Sequence, residues 1–286
     1  MTKFKQSESK LLFPQKKLTT LTDGLQYSIL ASSSSGNCLY IESDQHSLLL
    51  DAGLSGRKIE ELMAQIDRDM IQVDAILLSH EHSDHIQGAG VLSRRYDIPL
   101  YANEKTWKAM ESKLGNIPLE KKMVIDPESQ ITIGNIDVLS YQVSHDAVDA
   151  QFYAFEKDKK QLVTVTDTGY VSDRLIGLLG NASAYLMESN HEIELLRYGS
   201  YPWSLKQRIL SDEGHLSNED AGLALADLIG NQTKEVYLGH LSDENNTPEI
   251  ALNTVTDVLR FNDLAVNEDF SLQVAHPETP TELKRL

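Results

Sequence analysis

Within six consecutive positions, the stretch SHEHSDHIQG holds three of the chain's nine histidines and one aspartate: His80, His82, Asp84 and His85. Residues two apart on an extended segment point the same way, so His80 and His82 can approach one metal ion from one side. Asp84 and His85 fall where a strand should turn into a helix, and there they can face a second ion. Imidazole nitrogen and carboxylate oxygen are ordinary ligands for zinc and related first-row ions. The plainer reading, a polar loop that happens to be rich in histidine, leaves the clustering without a cause.

Four more ligand candidates are singled out by position. Asp51, His145, Asp167 and His240 each lie at or just past the end of a predicted strand, in LLLDAG, QVSHDA, VTDTG and YLGHLS. Strand ends are where a rigid sheet delivers side chains to a shared site. Two ions about 3.5–4 Å apart can hold both the attacking and the leaving oxygens of a displacement, which is hydrolase chemistry. Cys38, the single cysteine, sits in the apolar run NCLYIES, where it reads as a small buried residue rather than a nucleophile.

The elements that must position these groups are short. LQYSILAS, NCLYIES, HSLLLDA, VDAILLS, GNIDVLSYQVS, QFYAFEK, QLVTVTD, AYLMES and EVYLGH are apolar runs with turn-rich flanks and read as strands. GRKIEELMAQI, QGAGVLSRRY, NEKTWKAMESKL, VSDRLIGLLG, SNEDAGLALADLIG and TPEIALNTVTDVL read as helices, with Asn103, Ser217 and Thr247 as caps. Strand clusters separated by helices, in two similar halves, suggest two packed sheets with helices outside.

The chain has 286 residues, 41% apolar and 24% charged, with a net charge of −17. This is an ordinary soluble composition, and the acidity argues mildly against broad nonspecific binding to nucleic acid. No apolar run reaches the ~18 residues of a membrane-spanning helix. One cysteine excludes an internal disulfide and fits a reducing compartment, so a cytoplasmic location is expected. Residues 1–24 read as a polar extension and 25–286 as one domain.

The HEHSDH run resembles the H-x-H-x-D-H signature of the metallo-β-lactamase superfamily, with Asp51, His145, Asp167 and His240 where its other motifs would lie. The resemblance implies an α/β fold: an αββα sandwich of two mixed sheets packed face to face, with a two-metal site at one edge. It implies that His80, His82 and His145 bind one divalent ion, and Asp84, His85 and His240 the other. Asp167 would bridge both, and Asp51 would orient ligands from behind. The metal could be zinc, manganese or iron.

Longer stretches narrow the resemblance. SGNC, DAGLSG, YANEKTWKAM, VSHDA, TDTGYVSDR, ESNHE, YPWSLKQRILSDEGHLSNEDAG and VYLGHLS are similar to the YycJ/WalJ family of bacterial metallohydrolases, over roughly residues 25–250. That similarity implies a cytoplasmic exonuclease acting on double-stranded DNA from 5′ ends, often with manganese. It also implies a functional link to a cell-wall two-component system. His145 to Asp167 is 22 positions and Asp167 to His215 is 48. Those gaps leave no room for the long arm of transfer-RNA 3′-processing relatives or for an inserted β-CASP domain.

Read from the residues alone, YPWSLKQRILSDEGHLSN is the best substrate-facing segment. Tyr201 and Trp203 could stack on unpaired bases while Lys206 and Arg208 meet phosphates; the competing reading is a short helix with Trp203 in the core. His215 is a candidate phosphate contact or proton donor to the leaving group. Asp84 and His215 are thus the expected catalytic pair. Two other functions remain open on the motifs: a hydrolase of a small-molecule ester, thioester or lactone, and a binding protein without catalysis.

Overall fold

The computed structural model describes residues 24–286, so the polar extension expected over residues 1–24 lies outside the described residues but for Gly24. The first sheet runs in chain order through β1 (Gln26–Ala31), β2 (Cys38–Glu42), β3 (Ser47–Leu50), β4 (Ala75–Leu77), β5 (Leu100–Ala102) and β6 (Lys122–Val124). The second runs through β7 (Gln130–Ile133), β8 (Ile136–Gln142), β9 (Gln151–Lys157), β10 (Lys160–Val165), β11 (Ala184–Glu188), β12 (Glu235–Gly239) and β13 (Ser271–Val274). A short β14 (Lys284–Arg285) pairs with β1 and completes the first sheet. Both sheets follow one plan, antiparallel strands first and parallel strands after.

Parallel strands need crossovers, and helices supply them. They are α1 (Gly56–Gln65), α2 (Ser83–Ile86), α3 (Ala89–Tyr96), α4 (Glu104–Leu114), α5 (Asp173–Leu179), α6 (Ile193–Tyr198), α7 (Trp203–Ile209), α8 (Asn218–Leu228) and α9 (Pro248–Phe261). Asn103, Ser217 and Thr247 cap α4, α8 and α9, each side chain accepting a backbone N–H three residues on. Each such cap satisfies an amide that the first helical turn leaves unpaired.

Three apolar layers result. Tyr27, Ile29, Leu48, Tyr153, Phe155 and Tyr237 fill the space between the sheets. Ile59, Met63, Leu92 and Met110 cover the outer face of the first sheet, and Leu179, Leu225 and Val255 that of the second. Strands covered on both faces lose the alternation of a half-exposed sheet; β1, β2, β3 and β11 are buried at every position. This is the expected αββα sandwich. The sequence reading passes over β5, β6, β7, β13 and β14, edge or near-edge strands of two to four residues that are too short to show a period.

Under the first sheet the Glu42 carboxylate is fully buried. Arg68 donates to both of its oxygens at 2.6 and 2.7 Å, and the Tyr40 hydroxyl donates to one at 2.7 Å. Removing the guanidinium strands a buried charge, so Arg68→Ala should destabilise the fold by about 3–5 kcal/mol in urea unfolding. Stability within error of the parent would refute that assignment.

Candidate metal centre

All the ligand candidates meet at one edge of the sandwich because they follow strand ends. Asp51 follows β3, His80 to His85 follow β4 and fold into α2, and His145 follows β8. Asp167 follows β10, and His240 follows β12. Asp51, Asp167 and His240 have φ of +58°, +59° and +55°. That region disfavours residues with a side chain and costs on the order of 1–3 kcal/mol at each position. The chain tolerates it where the turn aims a functional group back over the sheet edge.

Two ligand sets form as expected, and a third group, Asp167, Glu188, His215 and His240, overlaps the second. One nitrogen each from His80, His82 and His145 lie within 4.8 Å of one another, as do single atoms from Asp84, His85, Asp167 and His240. Asp167 connects the sets: its carboxylate is 3.9 Å from His145 Nε2, 3.3 Å from His85 Nε2 and 3.1 Å from His240 Nε2. Asp84 lies 3.2 Å from His85 Nε2 and 3.5 Å from His240 Nε2.

The outer nitrogens of these rings are engaged elsewhere. His85 Nδ1 is 2.8 Å from Asp51, whose carboxylate also accepts the Ser79 N–H and hydroxyl. His80 Nδ1 meets the Ser79 hydroxyl, His145 Nδ1 the Gly214 carbonyl, and His240 Nδ1 the Glu188 carboxylate. Those partners fix ring orientation and leave each Nε2 for the centre. His80 Nε2, Asp167 Oδ2 and His240 Nε2 are buried without a well-formed hydrogen bond among the described residues, Asp167 Oδ2 and His240 Nε2 meeting only other groups of the same cluster. Buried polar atoms are rarely left so. These atoms converge, and the donor set is nitrogen and carboxylate oxygen; the residues fit divalent cations.

The charge balance of the protein alone agrees. Burial would raise the carboxyls of Asp84 and Asp167, but the facing imidazoles of His85 and His240 hold both well below the usual carboxylate range. Burial would likewise lower His85 and His240, but Asp167 and its neighbours hold both well above the usual imidazole value. His80 has less anionic company and is lowered by burial and by the adjacent histidines.

Glu188, in the ESNHE segment after a predicted strand, carries no assigned role in the sequence reading. Fully buried at the end of β11, it accepts from His215 Nδ1 at 2.7 Å and lies 3.1 Å from His240 Nδ1. The Thr168 and Leu216 N–H groups also donate to it. Burial would raise its carboxyl, but His215 and His240 bring it down to about 2. Its position at a strand end is the same signal that singled out Asp51 and Asp167. Asp146, also missed, lies 3.4 Å from His145 Nε2 and 3.8 Å from His82 Nε2, and nothing in its spacing distinguishes it.

The other predicted residues divide. His215 packs against both His145 and His240 with ring centroids 5.2 Å away. Tyr201 and Arg208 border a pocket that His215 also lines, and Arg208 pairs with Asp146. Trp203 is 64% exposed, against the reading that packs it in the core. Lys206 corrects the expectation of a phosphate contact. It is 7% exposed, and its ammonium donates to the Arg197 and Gly199 carbonyls, so it braces the turn between α6 and α7. Cys38 is buried, and burial pushes its thiol up.

Residues 46–241 match the family model described as beta-lactamase superfamily domain. The chain belongs to the metallo-β-lactamase superfamily. Exodeoxyribonuclease WalJ of Streptococcus pneumoniae (strain D39) is 54% identical over 265 residues, 92% of this chain and 98% of that one. Exodeoxyribonuclease YycJ of Bacillus anthracis is 51% identical over 261 residues, 91% of this chain and 99% of that one. The superfamily fold extends to distant structures. The metallo-beta-lactamase fold protein YhfI of Bacillus subtilis superposes with a TM-score of 0.69 at 18% identity, covering 91% of this chain and 99% of its own.

Two substitutions test how this superfamily edge is held. Glu188→Gln keeps the shape but loses the charge shared by His215 and His240; divalent-metal affinity in a chelator competition should fall about 10–100-fold. Unchanged affinity would remove Glu188 from the centre. Gly53 N–H donates to Asn37 and Asn37 N–H donates to the Asp84 carbonyl, and a Cβ at Gly53 would strike that same carbonyl. Gly53→Ala should therefore weaken metal binding, with circular dichroism showing the fold retained; parent-like affinity would refute it.

Proposed function

We propose that the protein is a metal-dependent exodeoxyribonuclease that degrades double-stranded DNA from 5′ ends, its site formed by one hydrolase domain over residues 25–286. One observation carries the reading: proteins matching this chain at 51% and 54% identity along nearly their whole lengths are named exodeoxyribonucleases. That name favours a phosphodiester over a thioester or lactone. The ligand arrangement supports two ions, zinc, manganese or iron, with His80, His82 and His145 on one, Asp84, His85 and His240 on the other, and Asp167 between them. Divalent ions held there supply Lewis acidity that draws charge from a phosphoryl oxygen and makes water a nucleophile near neutral pH.

The chain's own groups do the rest. Asp51 and Glu188 keep His85 and His240 in one ring orientation. Glu188 holds the Nδ1 side of His215, leaving Nε2 to hand a proton to the leaving oxygen. Arg208 meets the strand's phosphates, and Tyr201 and Trp203 offer faces for bases. Among the described residues no helix is long and apolar enough to cross a membrane. A cytoplasmic site of action suits a DNA substrate. The link to a cell-wall two-component system rests on the family resemblance alone.

Purified protein with manganese should release mononucleotides from linear duplex DNA. Asp84→Ala should lower the rate at least about 100-fold, and His215→Ala should lower kcat by about 10²–10³. Absence of nucleotide release with every divalent metal, or release undiminished by Asp84→Ala, would overturn the assignment.

A further inference from the structure

The segment RYGSYPW links α6 to α7 and carries three aromatic rings, Tyr198, Tyr201 and Trp203. Tyr201 lines a pocket of about 220 Å³ together with Arg208 and His215, and the His215 ring packs on His145 and His240. The turn therefore stands at the rim of the metal centre. On either side of Tyr201, Tyr198 is 84% exposed and Trp203 64%. A single exposed aromatic needs no explanation; two flanking the mouth of a site do.

The turn is held stiffly. The buried Lys206 ammonium donates to the Arg197 and Gly199 carbonyls. Buried lysine is rare, and here it fixes a turn whose aromatic side chains stay in solvent. The Ser200 hydroxyl donates to Glu244. A Cβ at Gly199 would strike the Leu195 carbonyl and the Asn245 side chain, so the turn lies tight against α6 and the loop after β12. Pro202 fixes the backbone where α7 begins. Rings carried in this way lose little freedom on meeting a ligand.

The ligands that the turn flanks are recessed: His80, His85, His145, Asp167 and His240 are all buried. At a duplex end, a phosphodiester of one strand reaches such a centre only after that strand parts from the other. Parting them costs stacking and pairing, and apolar side chains set against a base step hold such a step open. Aromatic faces accept any base, which suits a nuclease that meets each base in turn.

We propose that the turn over residues 198–203 is a wedge that parts the terminal base pair of the duplex. Tyr198 and Trp203 take over the stacking that the opened bases lose, and one strand alone passes Tyr201 toward His215. The inference rests on the exonuclease reading and deepens it by assigning strand separation to this turn.

Duplexes of one sequence that end in a G·C pair, an A·T pair or mismatched nucleotides, digested with manganese, separate opening from cleavage. The parent should degrade the three at similar rates. Tyr198→Ala and Trp203→Ala should each lower kcat/KM on the G·C end about tenfold relative to the mismatched end, with the A·T end between them. Tyr198→Phe, which keeps the ring, should match the parent. Variants that slow all three ends equally, or none of them, would overturn the wedge and leave the exonuclease standing. No hydrolysis of any end would overturn the exonuclease reading and this one with it.

Discussion

Two carboxylates, the partly buried Asp84 and the buried Asp167, stand together at the edge of the sandwich. Paired anions at that depth require cations in direct contact. The protein alone answers with the imidazoliums of His85 and His240. A divalent metal is the stronger answer, because ligation needs neutral imidazole and ionised carboxylate together. The same groups that balance charge in the free protein are thus the ones a metal would use.

That requirement explains the architecture around the edge. Strands of two sheets end there, and left-handed turns at Asp51, Asp167 and His240 direct side chains inward. Behind the ligand rings sit the groups that orient them: Asp51 and Ser79 behind His85, Glu188 behind His240, and the Gly214 carbonyl behind His145. Each ligand ring is held on its far side, so the inward nitrogen is fixed before anything binds. Gly53 adds a backbone constraint, since only a residue without a side chain lets the Asp84 carbonyl pass so close.

Much of this was legible in the residue order. Continuous apolar runs marked the central strands because both faces of those strands are covered, and Asn103, Ser217 and Thr247 marked helix starts through cap chemistry. Ligand type and strand-end position together picked out the side chains that the fold gathers at one edge. What stayed hidden depends on distant parts of the chain. Lys206 looks like a surface cation until the turn at Arg197–Gly199 wraps its ammonium, and Asp146 looks ordinary until Arg208 and His145 arrive beside it. Glu188 shared the strand-end signal, but its link to both His215 and His240 exists only after β11 and β12 pair.

The central claim is that these side chains hold a pair of divalent cations in place of bound protons. Titrating metal-free protein with manganese or zinc by calorimetry, in buffers of different ionisation enthalpy, measures stoichiometry and proton release together. The account predicts about two ions per chain, with protons expelled as His85 and His240 become neutral ligands, and an affinity that rises with pH across their titration. Binding of one ion or none, or loading without proton release, would contradict it.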